Sequence, residues 1–192
     1  MVGFVPREGL VLEIREKRID GECIYDGKII TVTVDTVELP NKNTAKREVV
    51  GHPGGVTVLP LTDDERIVMV RQFRYPYMEE LLEIPAGKLE YGEDPYEAGI
   101  RELREETGAV AQKYINLGIM YPTPGYCAEK IYMYAATDLS FFEQDLDEDE
   151  FLNVVKIPFE EALSKVVSGE IRDGKTQIAI LKYNEMRRSG QV

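Results

Sequence analysis

The stretch Gly87-Lys88-Leu89-Glu90-Tyr91-Gly92-Glu93-Asp94-Pro95-Tyr96-Glu97-Ala98-Gly99-Ile100-Arg101-Glu102-Leu103-Arg104-Glu105-Glu106-Thr107-Gly108-Ala109 decides how the rest of the chain is read. Asp94 suits an N-cap, and Pro95 suits the first helical position, where its fixed φ and missing N–H do no harm. The spacing predicts a helix running to about Thr107, with Gly108 as a left-handed C-cap. At about 100° per residue, Tyr96, Gly99, Ile100, Leu103 and Thr107 gather on one arc, expected to face the core. Glu102, Glu105 and Glu106 gather on another, at i, i+3 and i+4. Taken alone, such a glutamate face is usually just solvated. Carboxylates this crowded repel unless a cation lies among them. Arg101 supplies a single charge, whereas a hard divalent cation with oxygen ligands resolves the repulsion. Glu93, just before the helix, can point back toward the same place.

Around this segment lies an acidic chain of 192 residues, with 23 Lys+Arg against 35 Asp+Glu and a net charge of −12 at pH 7. The length suits one domain with a small appendage. The hydrophobic fraction of 43% is enough for a core. The charge argues against phosphate-backbone binding, which needs a basic face, so no nucleic-acid partner is expected. An acidic chain binds an anionic small molecule only through a metal or a few placed arginines. No apolar run approaches the roughly 18–20 residues of a membrane span. The first residues mix charge into their apolar positions and lack the apolar centre of a signal peptide. Cys23 and Cys127 cannot build a disulfide framework. A cytoplasmic protein is expected.

Cys23 to Leu39 reads as a hairpin around Tyr25-Asp26-Gly27-Lys28, with Ile29–Val37 as its second strand. Lys46–Val50, Val56–Leu61 and Arg66–Phe73 read as further strands, with a break at His52-Pro53-Gly54-Gly55. Beyond the helix, strands are expected at Tyr114–Met120, Ile131–Thr137 and Leu152–Ile157. Helices are expected at Phe159 to about Val167 and at Gln177–Arg187. An acidic stretch, Glu143–Glu150, would ordinarily be a solvated loop. The pattern predicts an α/β fold with a mixed sheet, divided into an N-terminal β-domain at 1–50 and a main domain at 51–192. His52, the one histidine, reads as part of a turn, and Cys127 as a buried small residue.

The spacing Gly87-x5-Glu93-x7-Arg101-Glu102-Leu103-x-Glu105-Glu106-x-Gly108-Ala109 resembles the Nudix box, with Ala109 where a larger aliphatic residue is usual. A motif of this kind is a hypothesis about chemistry. The resemblance implies a Nudix-type α/β/α sandwich with a small N-terminal antiparallel β appendage, and a loop–helix–loop that holds Mg²⁺ or Mn²⁺. It implies Glu102, Glu106 and the Ala86 carbonyl as metal ligands, with Glu105 close by. Arg101 would orient the glutamates and Glu93 would brace the loop.

The likeness extends from about Glu22 to Ile180 and points to the ADP-ribose pyrophosphatase subgroup. Glu83-Ile84-Pro85-Ala86-Gly87 resembles that subgroup's lead-in to the box. Pro124 lies 16 residues after Gly108, within Thr123-Pro124-Gly125-x-x-x-Glu129, where the subgroup usually has Ser-Pro-Gly. By itself such a tripeptide is an ordinary turn. Pro124, Glu129, Arg74 and Arg47 are expected to meet the substrate, since guanidinium forks suit phosphate oxygens. In similar enzymes the N-terminal domains exchange between subunits, so Arg47 would serve the partner of a homodimer. Glu148 aligns with the catalytic base and Glu150 with a further metal ligand, although the acidic repeat lets the two exchange. Tyr75, Tyr77 and Tyr126 are equally suited to adenine stacking and to packing. The expected activity is metal-dependent hydrolysis of ADP-ribose, a small-molecule nucleoside diphosphate, to AMP and ribose 5-phosphate. The alternatives are another nucleoside diphosphate derivative such as GDP-mannose, or a catalytically silent nucleotide sensor. The intact Glu102, Glu105 and Glu106 count against the sensor.

Overall fold

The computed structural model describes residues 13–148 and 150–192. Residues 1–12 of the expected 1–50 domain, on which the expectation of no signal peptide falls, and Asp149 of the acidic stretch lie outside the described residues. The chain divides into two units between His52 and Pro53.

The first unit is a three-stranded antiparallel sheet: β1 (Lys17–Asp26), β2 (Thr31–Glu38) and β3 (Thr44–Gly51), in that spatial order. The β-branched run Thr31-Val32-Thr33-Val34 suits the central strand. Its register sets Asp35 opposite Arg47 and Val34 opposite Glu22. The strand β1 begins six residues before the expected Cys23. All its residues are exposed, so Lys17–Glu22 has no buried face to impose the alternation by which a strand is recognised.

The second unit contains β4 (Gly55–Pro60), β5 (Arg66–Arg74), a 3-10 turn at Tyr75–Tyr77, β6 (Glu79–Glu83), β7 (Ala86–Lys88) and α1 (Pro95–Thr107). After these come β8 (Ala109–Met120), β9 (Ile131–Phe141), β10 (Leu152–Pro158), α2 (Phe159–Val167) and α3 (Gly174–Arg188). The strands form a mixed sheet ordered β7-β4-β9-β8, in which β4 and β9 run parallel, and an antiparallel sheet ordered β10-β5-β6. Every residue of β4 is buried, as befits a strand flanked on both sides and covered on both faces.

Alternation along the mixed sheet builds the three layers. Val58 and Ala136 turn to one face, where they pack with Leu103 of α1. Leu59, Met133 and Ala135 turn to the other, against a larger core that includes Phe159 and Ala162 of α2 and Ala179 and Ile180 of α3. The fold is therefore of the α/β class, with helices on both faces of a mixed sheet.

The helix α1 keeps its expected bounds but not its expected orientation. Asp94 Oδ1 accepts from the Tyr96 and Glu97 amides at 2.9 and 3.3 Å, which satisfies two N-terminal donors. The buried residues are Ala98, Gly99, Glu102, Leu103, Glu106 and Thr107, whereas Tyr96 is 41% exposed and Ile100 half-buried. The inward stripe is thus displaced from the predicted arc, and it carries two glutamates into the protein. Tyr96 instead lies at the edge, with its ring centroid 5.3 Å from that of Tyr114 and 5.8 Å from that of Tyr134. Cys127 is half-buried rather than buried.

At the end of α1, Gly108 has φ +69° and donates to the Arg104 carbonyl at 2.8 Å. The chain that follows β9 crosses directly over it. The Phe142 amide bonds the Gly108 carbonyl at 2.8 Å, and a Cβ on Gly108 would lie 2.1 Å from the Phe142 carbonyl oxygen. Gly108 therefore ends the helix and admits the acidic loop to its C-terminal turn. Gly108→Ala is expected to destabilise by at least about 1–2 kcal/mol from the left-handed backbone alone, read by urea denaturation. Wild-type stability in that variant would show that the crossing is not required.

Candidate active site

The lead-in to α1 crosses from one sheet to the other at Ile84-Pro85. The Pro85 carbonyl accepts from the Val58 amide and from Thr57 Oγ1, both at 2.9 Å. This crossing sets β7 beside α1, and the Ala86 amide donates to Glu106 Oε2 at 3.1 Å. Next to it, a Cβ on Gly87 would lie 1.9 Å from the Glu102 carboxylate carbon. Only a residue without a side chain leaves that carboxylate its place.

Arg101 stands at the centre of the glutamates. Its Nε and Nη2 donate to the two oxygens of Glu93 at 2.9 and 3.0 Å, while Nη1 donates to Glu102 at 2.8 Å and to Glu105 at 2.9 Å. Glu93 also accepts from the Glu90 amide at 2.9 Å, so it ties the loop before the helix to the guanidinium. These bonds hold the Glu93 carboxyl below the usual range and push the Arg101 guanidinium up. One arginine therefore answers much of the repulsion that the sequence pattern predicts.

Two carboxyls are left in the opposite state. Burial pushes Glu106 up to about 8; the neighbouring Glu102 and Glu150 charges add to this, and the Ala86 amide and Lys175 oppose it. Burial also raises Glu102 against the pull of Arg101, with Glu105 and Glu150 contributing repulsion. Among the described residues, no three or more carboxylate, histidine or cysteine side chains stand in a finished metal-holding group. The donors nevertheless fit a divalent cation. They are hard oxygens, and the Glu102 and Glu150 charges add to the rise at Glu106, which an added positive charge would reverse.

The acidic loop is fastened to the last turn of α1. Gln144 Nε2 donates to the Glu106 carbonyl at 2.5 Å, and the Asp145 amide to the Glu105 carbonyl at 3.0 Å. These bonds occupy carbonyls that a helix end leaves unpaired. They set the half-buried Glu150 within electrostatic reach of Glu102 and Glu106, while Glu148 is exposed in the turn.

The structure thus brings together Ala86, Glu93, Arg101, Glu102, Glu105, Glu106 and Glu150. Arg74 holds Glu83 through Nε at 2.7 Å and Nη2 at 2.6 Å, and its charge reaches Glu106. Pro124 is exposed in a turn where the Thr123 carbonyl accepts from the Tyr126 and Cys127 amides at 3.3 and 3.1 Å. Glu129 is half-buried, with its carboxylate near Gly55. Arg47 lies in the first unit, where it forms a two-point ion pair with Glu16 at 2.9 and 2.5 Å. Tyr75, Tyr77 and Tyr126 are exposed.

Sequence reasoning missed Gln144 and the cluster of Glu83, Asp173, Lys175 and Thr176. One signal was available for the cluster. Asp173 accepts from the Thr176 amide at 2.9 Å, and its aspartate–glycine pair marks the start of α3 three residues before the expected Gln177.

The raised Glu106 gives a pH dependence with a defined sign. Its folded value lies above the ordinary 4.5, so in metal-free protein its contribution to stability is complete below about pH 4.5. That contribution is lost as pH rises through about 8. In a chelator, the melting temperature of the wild type should fall relative to Glu106→Gln between those limits, and Mg²⁺ should restore it at the alkaline end. Parallel melting profiles for the two proteins would show that Glu106 titrates as an ordinary carboxyl.

Residues 51–176 match the NUDIX domain, and residues 16–50 match the nucleoside diphosphate sugar hydrolase N-terminal domain. An ADP-ribose pyrophosphatase of Bacillus subtilis (strain 168) is 45% identical over 181 residues, covering 93% of this chain and 97% of that protein. A methanol dehydrogenase activator of Bacillus methanolicus is 45% identical over 167 residues, covering 86% and 90%. A crystal structure of an ADP compounds hydrolase shares the fold with a TM-score of 0.82 at 23% identity, covering 96% of this chain and 100% of that one. With its box folded into a buried glutamate cluster around Arg101, and with this family match over most of its length, the chain belongs to the Nudix hydrolases.

Proposed function

We propose that the chain hydrolyses the pyrophosphate bond of ADP-ribose, forming AMP and ribose 5-phosphate with Mg²⁺ or Mn²⁺ bound. The observation that carries this reading is the near full-length identity to an ADP-ribose pyrophosphatase, 45% over 93% of the chain. The intact cluster of Glu102, Glu105 and Glu106 supports it.

Glu102, Glu106, Glu150 and the Ala86 carbonyl would hold the cation. When bound, the cation neutralises diphosphate charge and polarises the attacking water. Arg101 keeps Glu102 and Glu105 in place, and Glu93 holds Arg101 against the loop. Glu148 takes the proton of the water as its oxygen bonds to phosphorus, or Glu150 does so if the acidic repeat exchanges the two roles. The bridging oxygen then leaves with one of the two phosphate groups. Arg74, Glu129 and Pro124 meet the substrate, with Arg74 acting from its clamped position on Glu83.

Purified protein with Mg²⁺ is expected to convert ADP-ribose in preference to ADP-glucose, GDP-mannose, NADH and a diadenosine polyphosphate, with products resolved by chromatography. Glu106→Gln should lower kcat roughly hundredfold or more, the order seen when one preorganised electrostatic contact is removed. Preference for another diphosphate would overturn the substrate assignment, and unchanged turnover in Glu106→Gln would overturn the metal role.

We further propose a cytoplasmic homodimer in which Arg47 reaches the partner's site. The support is the N-terminal sheet, whose β1 is exposed along its whole length in the single chain and displays Ile19, Ile24 and Tyr25. Apolar side chains displayed on an open edge strand are normally covered. Light scattering should give twice the 21.8 kDa chain mass. A monomer at micromolar concentration would remove this part of the reading.

A further inference from the structure

Between the two sheets, each residue from Glu83 to Ala86 is restrained by a different part of the fold. The Glu83 carboxylate, 1% exposed, takes Arg74 on both oxygens and also receives Lys175 Nζ on Oε2. The Ile84 amide donates to Thr176 Oγ1 at 3.0 Å. The Pro85 carbonyl is held by β4, and the Ala86 amide ends on Glu106. Lys175 and Thr176 belong to the first turn of α3, and both are bound to its cap. Lys175 Nζ donates to Asp173 Oδ1 at 2.9 Å and Thr176 Oγ1 to Asp173 Oδ2 at 2.5 Å.

We propose that Lys175 is a positioning residue for the metal site: by drawing Glu83 against the start of α3, it fixes the Ile84–Ala86 crossing and so the backbone that faces Glu106. The chemistry of the cluster supports this. Glu83 already has a full two-point partner in Arg74, so its charge does not require a second cation. A lysine that is only 8% exposed carries a large desolvation cost. Buried ion pairs contribute little net stability compared with apolar packing, and their better-attested use is to select one arrangement. The arrangement selected here is the approach of β6 to α3, because Lys175 binds Glu83 on the strand and Asp173 on the helix cap. The strand leaves this anchor and reaches Ala86 three residues later. A small error at Glu83 is thereby delivered to a ligand oxygen, where tenths of an ångström decide affinity.

This inference rests on the reading of Glu102, Glu106 and Ala86 as the metal site but not on the identity of the substrate. The test is therefore binding of Mn²⁺ alone, followed by electron paramagnetic resonance on the full chain. Lys175→Met is expected to weaken Mn²⁺ by about 10- to 100-fold, the range seen when a group that orients a metal ligand is removed. Lys175→Arg should recover most of that loss, because it restores the cation. Glu83→Gln with Lys175→Met should be no weaker than the worse single variant, since both act through one contact. With Mg²⁺ and ADP-ribose, the concentration of Mg²⁺ for half-activation should rise in parallel with the loss of Mn²⁺ affinity. Should Lys175→Met fail to fold, Thr176→Val removes the next anchor of the same crossing and is expected to weaken Mn²⁺ about tenfold. Wild-type Mn²⁺ affinity in the folded Lys175→Met or Thr176→Val protein would overturn the proposal, as would full additivity of the double variant. Absence of ADP-ribose turnover by the wild type, with Mn²⁺ binding behaving as described, would overturn only the substrate assignment.

Discussion

The Arg101 guanidinium, shared among Glu93, Glu102 and Glu105, is the interaction on which the rest of this site depends. Glutamates on successive turns of a half-buried helix face repel strongly in a medium of reduced dielectric. A planar cation with donors on two edges can meet several of them at once, which a lysine ammonium could not do with the same geometry. Arg101 also joins the helix to the loop before it, because Glu93 is bonded both to the guanidinium and to the Glu90 amide. Glu102 and Glu106 remain partly uncompensated, with raised proton affinity, and that residual imbalance is what the proposed divalent cation would relieve.

The fold can be understood as a set of supports for this imbalance. The mixed sheet carries α1 on one face through Val58, Leu103 and Ala136, while a larger apolar core on the other face holds α2 and α3. The lead-in crosses between the sheets and presents the Ala86 amide to Glu106. The acidic loop crosses over Gly108 and is bonded to the last carbonyls of α1. Two segments distant in sequence are thus registered on one helix, and both meet it at Glu106, one at the carboxylate and the other at the main-chain carbonyl.

How much of this was legible in the sequence depended on the range of the forces involved. The ends of α1 were legible because capping is local: Asp94, Pro95 and Gly108 act within a turn of where they stand. The strand β5 was legible from its unbroken apolar centre, Ile67-Val68-Met69-Val70, all of it buried. The outward-facing β1 was only half legible, and the short β6 and β7 were not legible at all. Their residues show no periodicity of their own, and their pairing is fixed by strands elsewhere in the chain. The same limit applies to the core-facing arc of α1, where apolarity alone turns Tyr96 and Ile100 inward. Apolar periodicity cannot anticipate that Glu102 and Glu106 are drawn inward by Ala86 and Arg101.

The sequence by itself determined the presence of a capped helix, the row of carboxylates along it, the need for positive charge among them, and the resemblance that identifies the chemistry. These follow from spacing over a single segment, and spacing survives without coordinates. Only the tertiary structure decided which glutamates are buried and that the Glu150 charge reaches the row. It alone showed that Arg74 is committed to Glu83, and that Lys175 closes a chain of restraint ending at Ala86. Each of these rests on contacts between residues far apart in the chain, and burial and electrostatics depend on distance in space rather than on separation in sequence.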